Sequence, residues 1–561
     1  MRQLTIIALL LLLTVSGTVA TPIGSASVPV GDPVYSFLER CEARGIIPLW
    51  STTAQPLSRL KISSLLMQAV AFYPKIYDRR LRTDLDYYIR EFAWDISRLS
   101  QSDDQPRRTA RSVQYSPSDA LQNPHWHLVQ YRSDDFHFVL DPLIWARYDI
   151  GKDQKIFRRA TGLQFRGDFN GWLGYYFRFI DHTERGNGPY TDRSQLLHDR
   201  YGYVGPLQGN DETYYDLTEA YLHIGWKKVD LMFGKDRVAW GPSRNGGLLL
   251  SGYSPSFNQL RLTARLTKKV RFNYVVGRLN TGMPGDTLYH TDRGWIRTEL
   301  TPKWLAAHRL EYSPWKSVVF GISEAIIWGE RGLDPAYLNP IYFFYSAEHD
   351  GGDQDNILMS GDVLIRIARG GILYGELLID DVKTSTLGEG DPGNRLGVTA
   401  GGWLTHIGIN GLETGIEYTR LEPFVYSHFF PVNRYSTWTS SLGSELSPNS
   451  DRLRLRLCYR PELNHPAFKR TEFNGRIDWN RHGSVGGDIS ETIPPLMTQK
   501  VHFLDGDRIE WTSVAVSVRF EPIPGLFLET GWINNDQPSV TDHPALLSNI
   551  VYLTAGYRYS D

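Results

Sequence analysis

Three arginines at alternate positions, Arg452, Arg454 and Arg456, are interleaved with Leu453, Leu455 and Leu457 in the run Arg452–Tyr459. Guanidinium groups grip carboxylates through paired N–H donors. Such a ladder either binds an acidic sugar or is neutralised inside a packed interior. The carboxylates on comparable positions elsewhere, Asp362, Glu376, Glu413, Glu417 and Glu529, make internal pairing the favoured expectation. Two further stretches combine Trp with Arg and Asn. Arg237, Trp240, Arg244 and Asn245 fall in one, and Trp328 and Arg331 in the other. An aromatic face stacks on sugar C–H surfaces, while Arg and Asn meet hydroxyls and carboxylates. The competing reading is a pair of tryptophans in a membrane-interface belt. His125 and His127 form a His-x-His pair, and His349 stands near Asp350, Asp353 and Asp355. The first has no legible third ligand, and the second lacks the twelve-residue spacing of a calcium loop, so no metal site and no cofactor are expected. Gly-x-Ser-x-Gly, His-Glu-x-x-His and a phosphate-binding Gly-rich loop are all missing from the sequence, and no enzyme is expected.

The elements that would carry these residues change period along the chain. Arg2, the apolar run Leu4–Leu13 and Thr18-Val19-Ala20 read as a secretory signal peptide over residues 1–20, cleaved after Ala20. Residues 28–100 read as helical. Asp32-Pro33 is an N-cap followed by proline at the first helical position, with Val34, Phe37, Leu38 and Cys41 on one face and Gly45 as the stop. A second helix starts at Ser58 and ends at Pro74. A third carries one stripe from Leu81 to Leu99. Each stripe needs a partner, so the three form a bundle or a layer on something else. Residues 101–123 form a polar linker.

From residue 124 to 561 the period is two. Leu260, Leu262 and Ala264 alternate with Arg261, Thr263 and Arg265, and Leu412, Thr414 and Ile416 alternate with Glu413, Gly415 and Glu417. In a soluble sandwich the charged face would be solvent. In a transmembrane barrel the aliphatic face meets lipid and the charged face a wet lumen. Charge and glycine on the second face, 13% aromatic residues and an unbroken strand pattern favour the barrel. At ~22–26 residues per strand and connection this length holds about 16–20 strands. A closing aromatic, Tyr559, stands near the C-terminus. The two cysteines, Cys41 and Cys458, provide no disulfide framework and are expected free. A net charge of −2 offers no electrostatic ground for a nucleic-acid partner.

Three ordered segments resemble the Wzi-type capsule assembly family of outer-membrane proteins. They are Phe233-Gly-Lys-Asp-Arg-Val-Ala-Trp-Gly-Pro-Ser243 with Asn245-Gly-Gly-Leu-Leu-Leu-Ser251; Glu324-Ala-Ile-Ile-Trp-Gly-Glu-Arg331 running to Tyr337-Leu-Asn-Pro340; and Asp355-Asn356, Gly361-Asp362 and Tyr374-Gly-Glu-Leu-Leu-Ile-Asp-Asp381. The resemblance implies an all-β outer-membrane barrel of about 18 strands acting as a lectin for capsular or other surface polysaccharide, with the helical region in the periplasm and lipid around the wall. A porin or sugar-selective channel is the alternative on the same fold. Residues 32–45 and 56–59 are in turn similar to surface-layer-homology segments, which implies peptidoglycan as a further partner. A pair of helices packed under the barrel is the plainer reading.

Overall fold

The computed structural model describes residues 24–101, 125–133, 135–152, 155–187, 212–226, 228–290, 296–367, 370–405, 408–491, 493, 500–537 and 549–558. The expected signal peptide, nearly all of the expected linker and Tyr559 lie outside them.

Eighteen antiparallel strands close into a barrel. They run from Phe136–Ile150 to Ile550–Tyr557, and the last pairs with the first, Val551 opposite Ile150 through Tyr557 opposite Ile144. A short strand, Val129–Arg132, pairs with the remainder of the first strand, from Leu140 to His137, and completes the seam. Closure leaves no unpaired edge, which is the condition for strands to stand in hydrocarbon. The strand Ser450–Tyr459 shows how the sequence sets the two faces. Arg452, Arg454 and Cys458 are buried on the lumen side, and Leu455 and Leu457 are exposed on the outside. Its neighbours keep register: Arg454 lies opposite Glu417 on one side and Asp478 on the other. On the outer wall, aromatic rings gather toward the strand ends. Phe165 stacks on Phe177 and Phe136 on Tyr175 at one end, and Tyr148 meets Phe157 at the other.

The two ends differ. Connections such as 316–317 and 524–525 are short, whereas 237–256, 330–355 and 422–449 are long. The helices sit at the short-connection end. They are α1, Pro33–Ala43; α2, Arg59–Ala71; α3, Arg79–Glu91; and α4, Ala93–Gln101. Asp32 caps α1 through the Val34 N–H and Ser58 caps α2 through the Lys61 N–H. Gly45, at φ +71°, takes the left-handed turn after α1. The stripe expected to run as one helix from Leu81 to Leu99 is instead two helices, broken at Phe92. The Glu91 carbonyl, which a continuing helix would use, accepts from Arg59, whose guanidinium also lies 4.1 Å from the Phe92 ring centroid.

These helices share a core of Phe37, Leu38, Cys41, Ile62, Leu66, Leu85 and Ile89, and they dock on the barrel through ion pairs. Asp84 of α3 binds Arg40 and Arg80 within the layer and Arg470 of the barrel. Glu91 binds Arg166 and Arg558, and Thr53 donates to Glu311, which also holds Arg271. Both cysteines are free and buried. No helix among the described residues is long and apolar enough to cross a membrane.

Candidate functional site

The long connection 237–256 turns into the lumen. Its short strand Ala239–Trp240 pairs with Leu250–Ser251 on one side and with Ala54–Gln55, from the segment between α1 and α2, on the other. A three-stranded crossing thus ties this loop to the helical layer. The turn must be glycine-rich: a Cβ on Gly247 would lie 1.9 Å from the Trp240 carbonyl oxygen. Leu248, Leu249 and Leu250 then pack with Tyr426, Tyr435 and Leu442 of the connection 422–449, forming an apolar core inside the barrel.

A cavity of about 450 Å³ lies between α1, this crossing and the lumen wall. Arg237, Trp240, Arg244, Asn245, Arg454 and Arg456 all line it. Arg244 forms ion pairs with Glu39 of α1 at 2.8 Å and with Glu413 at 2.5 Å, and its guanidinium covers the Trp403 ring at 3.4 Å from the centroid. Burial pushes the Glu39 carboxyl above its ordinary value despite the Arg244 charge. Ser243 and Tyr374 donate to one Glu417 oxygen and the Asn245 amide donates to the other at 2.7 Å. Most of the cavity's charged groups are therefore paired with an opposite charge or a hydrogen-bond donor, although the Arg244 Nη2 and the Glu413 Oε2 make no hydrogen bond among the described residues. Two cations differ. The Arg237 Nε and Nη2 are buried with no hydrogen-bond partner among the described residues. Arg456 makes only a 3.4 Å contact with the Asn245 Oδ1 and no ion pair among them. Trp240 is 3% exposed, so it supports the cavity from the core.

The ladder splits. Arg452 and Arg454 share Glu445, and Arg454 also binds Asp478 through two contacts of 2.7 and 3.0 Å. The partners are not those expected from the sequence. Glu413 goes to Arg244 and Arg460, Asp362 to Arg309, and Glu529 to Arg519 and Tyr552. Glu445 sits in a long connection, where strand periodicity gives no signal. Glu39 and Trp403 were also missed. Nothing in a one-dimensional pattern brings α1 against a loop two hundred residues later.

The second Trp–Arg stretch is elsewhere. Trp328 is fully buried on the outer wall beneath the connection 330–355, its ring 4.9 Å from Tyr337 and its Nε1–H donating to the Gly332 carbonyl at 3.0 Å. Arg331 forms a fork with Asp355. The stretches 237–246 and 328–339 thus do not form one site. His125 meets Glu91 and His127 meets Asp141, so the His-x-His pair is divided between two carboxylates. Glu348, His349 and Asp353 have ligand atoms within 4.8 Å of one another, but Asp355 belongs to Arg331 and Tyr337 and Asp350 to Tyr342.

The family model for capsule assembly protein Wzi matches residues 112–429, from ahead of the first strand into the connection after Leu412–Leu421. The chain belongs to this family. Among solved structures it is similar to Wzi of Escherichia coli, an outer-membrane protein described as involved in group 1 capsule assembly and as a carbohydrate-binding β-barrel. Identity is 13%, the TM-score 0.55, and the alignment covers 97% of this chain and all of that one. OccK5 (OpdH) of Pseudomonas aeruginosa aligns at 10% identity and TM-score 0.40, covering 75% of this chain and 97% of its own. OprD of the same organism aligns at 12% and 0.38, covering 75% and 94%. No curated protein sequence matches.

Proposed function

We propose that this Wzi-family barrel spans a bacterial outer membrane and holds a surface polysaccharide, without catalysis. The observation that carries the reading is the filled lumen. One end is occupied by α1–α4 and their ion pairs to the wall, and the interior by the inward connections and their apolar core. Such an interior favours binding over conduction, the porin alternative. Outer-membrane barrels place short turns in the periplasm and long loops outside. On that rule the helical layer, 28–100, is periplasmic. It presents Phe72, Lys75 and Tyr77 outward, the surface that would meet peptidoglycan. The outer wall meets lipid.

Arg237 and Arg456 are the glycan-contact groups we assign in the cavity, with Arg244, Asn245 and Trp240 holding its shape. A guanidinium without an ion-pair partner donates to a sugar carboxylate or hydroxyl without breaking an existing pair. Arg331 and Trp328 are assigned to anchoring the connection 330–355 on the wall, and Arg452 and Arg454 to lumen neutralisation. Planar-bilayer recording of the purified protein separates binding from transport. The proposal expects no steady porin-like conductance. Stable open-channel steps in every insertion would contradict it.

A further inference from the structure

The connection 330–355 does not stand above the barrel. It folds down the outside. In the strand Val318–Gly329, Phe320, Ile322, Glu324, Ile326 and Trp328 all point outward. Phe320 and Ile322 are exposed, as lipid-facing side chains should be, but Glu324, Ile326 and Trp328 are buried. What covers them is the segment leading into a fifth helix, α5, Phe344–Gly351. The Phe344 and Tyr345 N–H groups each donate to the Glu324 carboxylate at 2.9 Å, and His308, outward on the next strand, lies 3.0 Å from it. Phe344 stacks on His308 at 4.5 Å between ring centroids. Glu324 stands about 17 Å along the strand from its Gly329 end at the usual rise per residue. A bare carboxylate at that depth on a lipid-facing wall would be costly. Here it caps a helix instead.

The covering segment has an outer surface of its own, and it is apolar at the deep end. Ile341 is 84% exposed, Phe343 53%, Tyr345 45% and Leu338 40%, with the Phe343 and Tyr345 rings 6.0 Å apart. Its charged residues, His349, Asp350 and Asp353, lie toward the other end of α5, where Arg331 and Asp355 join at the strand rim. The apolar end continues the band of Ile322, Phe320 and Leu310 below it.

We infer that residues 338–345 form a flap immersed in the outer leaflet, with the acyl chains of a lipid surface as its partner. Most of the flap's N–H groups enter hydrocarbon paired: Phe344 and Tyr345 donate to Glu324, Tyr342 to the Asn339 backbone carbonyl, Ile341 to the Asn339 side-chain oxygen and Asn339 to the Ala336 carbonyl. The inference rests on the reading of the barrel as membrane-spanning. It is independent of glycan binding.

The test uses spin labels on single introduced cysteines, Ile341→Cys, Phe343→Cys, Ile322→Cys and Asp353→Cys, in the full chain. Cys41 and Cys458 are buried, and the unsubstituted protein supplies their background. Each variant is reconstituted in phosphatidylethanolamine–phosphatidylglycerol vesicles, and collision with oxygen is compared with collision with a polar nickel chelate. The expected oxygen-to-nickel ratio at positions 341 and 343 matches position 322 and exceeds position 353 several-fold. Ratios at 341 and 343 equal to that at 353, with 322 still lipid-like, would overturn the flap alone. An aqueous signal at 322 would overturn the membrane wall and the flap with it. Protection of 341 and 343 from both reagents would mean a protein partner and would also overturn the inference.

Discussion

Arg454 is held by Asp478 on the neighbouring strand and by Glu445 from a loop, with all three removed from bulk water to differing degrees. Truncation there leaves Asp478 with only the more exposed Arg476, at 3.3 Å, while Glu445 keeps Arg452. Losing hydrogen bonds to charged groups in this way costs ~1.5–3 kcal/mol. Arg454→Ala should therefore lower barrel stability by that order, measured as the fraction of folded barrel across a urea series. Arg237→Ala should change the same curve little, since no hydrogen bond is lost among the described residues. One residue along, the face reverses. Leu455 is exposed on the outer wall. Leu455→Arg should cost ~2–4 kcal/mol near the bilayer midplane, and the same titration in lipid reads it. A neutral result would mean that Leu455 does not meet hydrocarbon.

At the scale of elements, the helical layer is fastened by carboxylates kept ionised by arginine. Burial alone would raise Asp84, but Arg80, Arg40 and Arg470 outweigh it and hold the group well below the ordinary carboxylate range. Burial likewise opposes Glu91, and Arg558, His125 and Arg166 prevail. A depressed folded-state value stabilises above the unfolded carboxyl value of about 4 and loses that contribution as pH falls through the folded value. Glu39 and Glu42, raised by burial, act in the opposite sense. The layer should stay docked from neutral pH down to about pH 4 and loosen below it, as protease cleavage within 24–101 would report. Asp84→Asn should weaken docking at neutral pH and flatten the acid dependence. Much of this layer was legible in sequence. The caps at Asp32 and Ser58 and the Gly45 stop follow from local chemistry, which acts within a few residues. The break at Phe92 was not, because its cause is Arg59, a tertiary partner. Nor was the docking, since ion pairs such as Asp84–Arg470 join residues far apart in the chain.

For the whole molecule, closure of the sheet was readable from the period-two alternation, because each strand declares its two faces locally. The disposition of the long connections was not. Whether a loop stands outside, enters the lumen as 237–256 does, or lies on the wall as 330–355 does depends on surfaces assembled from distant strands. That is why Trp240 and Trp328, alike in sequence context, end on opposite sides of the barrel. A closed barrel with no free edge should migrate compactly in cold detergent and shift on boiling, a gel measurement that a soluble sandwich would fail. The central claim, that this barrel retains glycan, is tested most directly by measuring cell-associated against shed surface polysaccharide. The strains are one lacking the protein, one restored with it, and one carrying Arg237→Ala with Arg456→Ala at matched membrane level. The account predicts that loss of the protein and the double substitution both move polysaccharide into the medium while the folded barrel persists. Unchanged retention in the strain lacking the protein would contradict the function, and unchanged retention in the double variant alone would remove the cavity as its site.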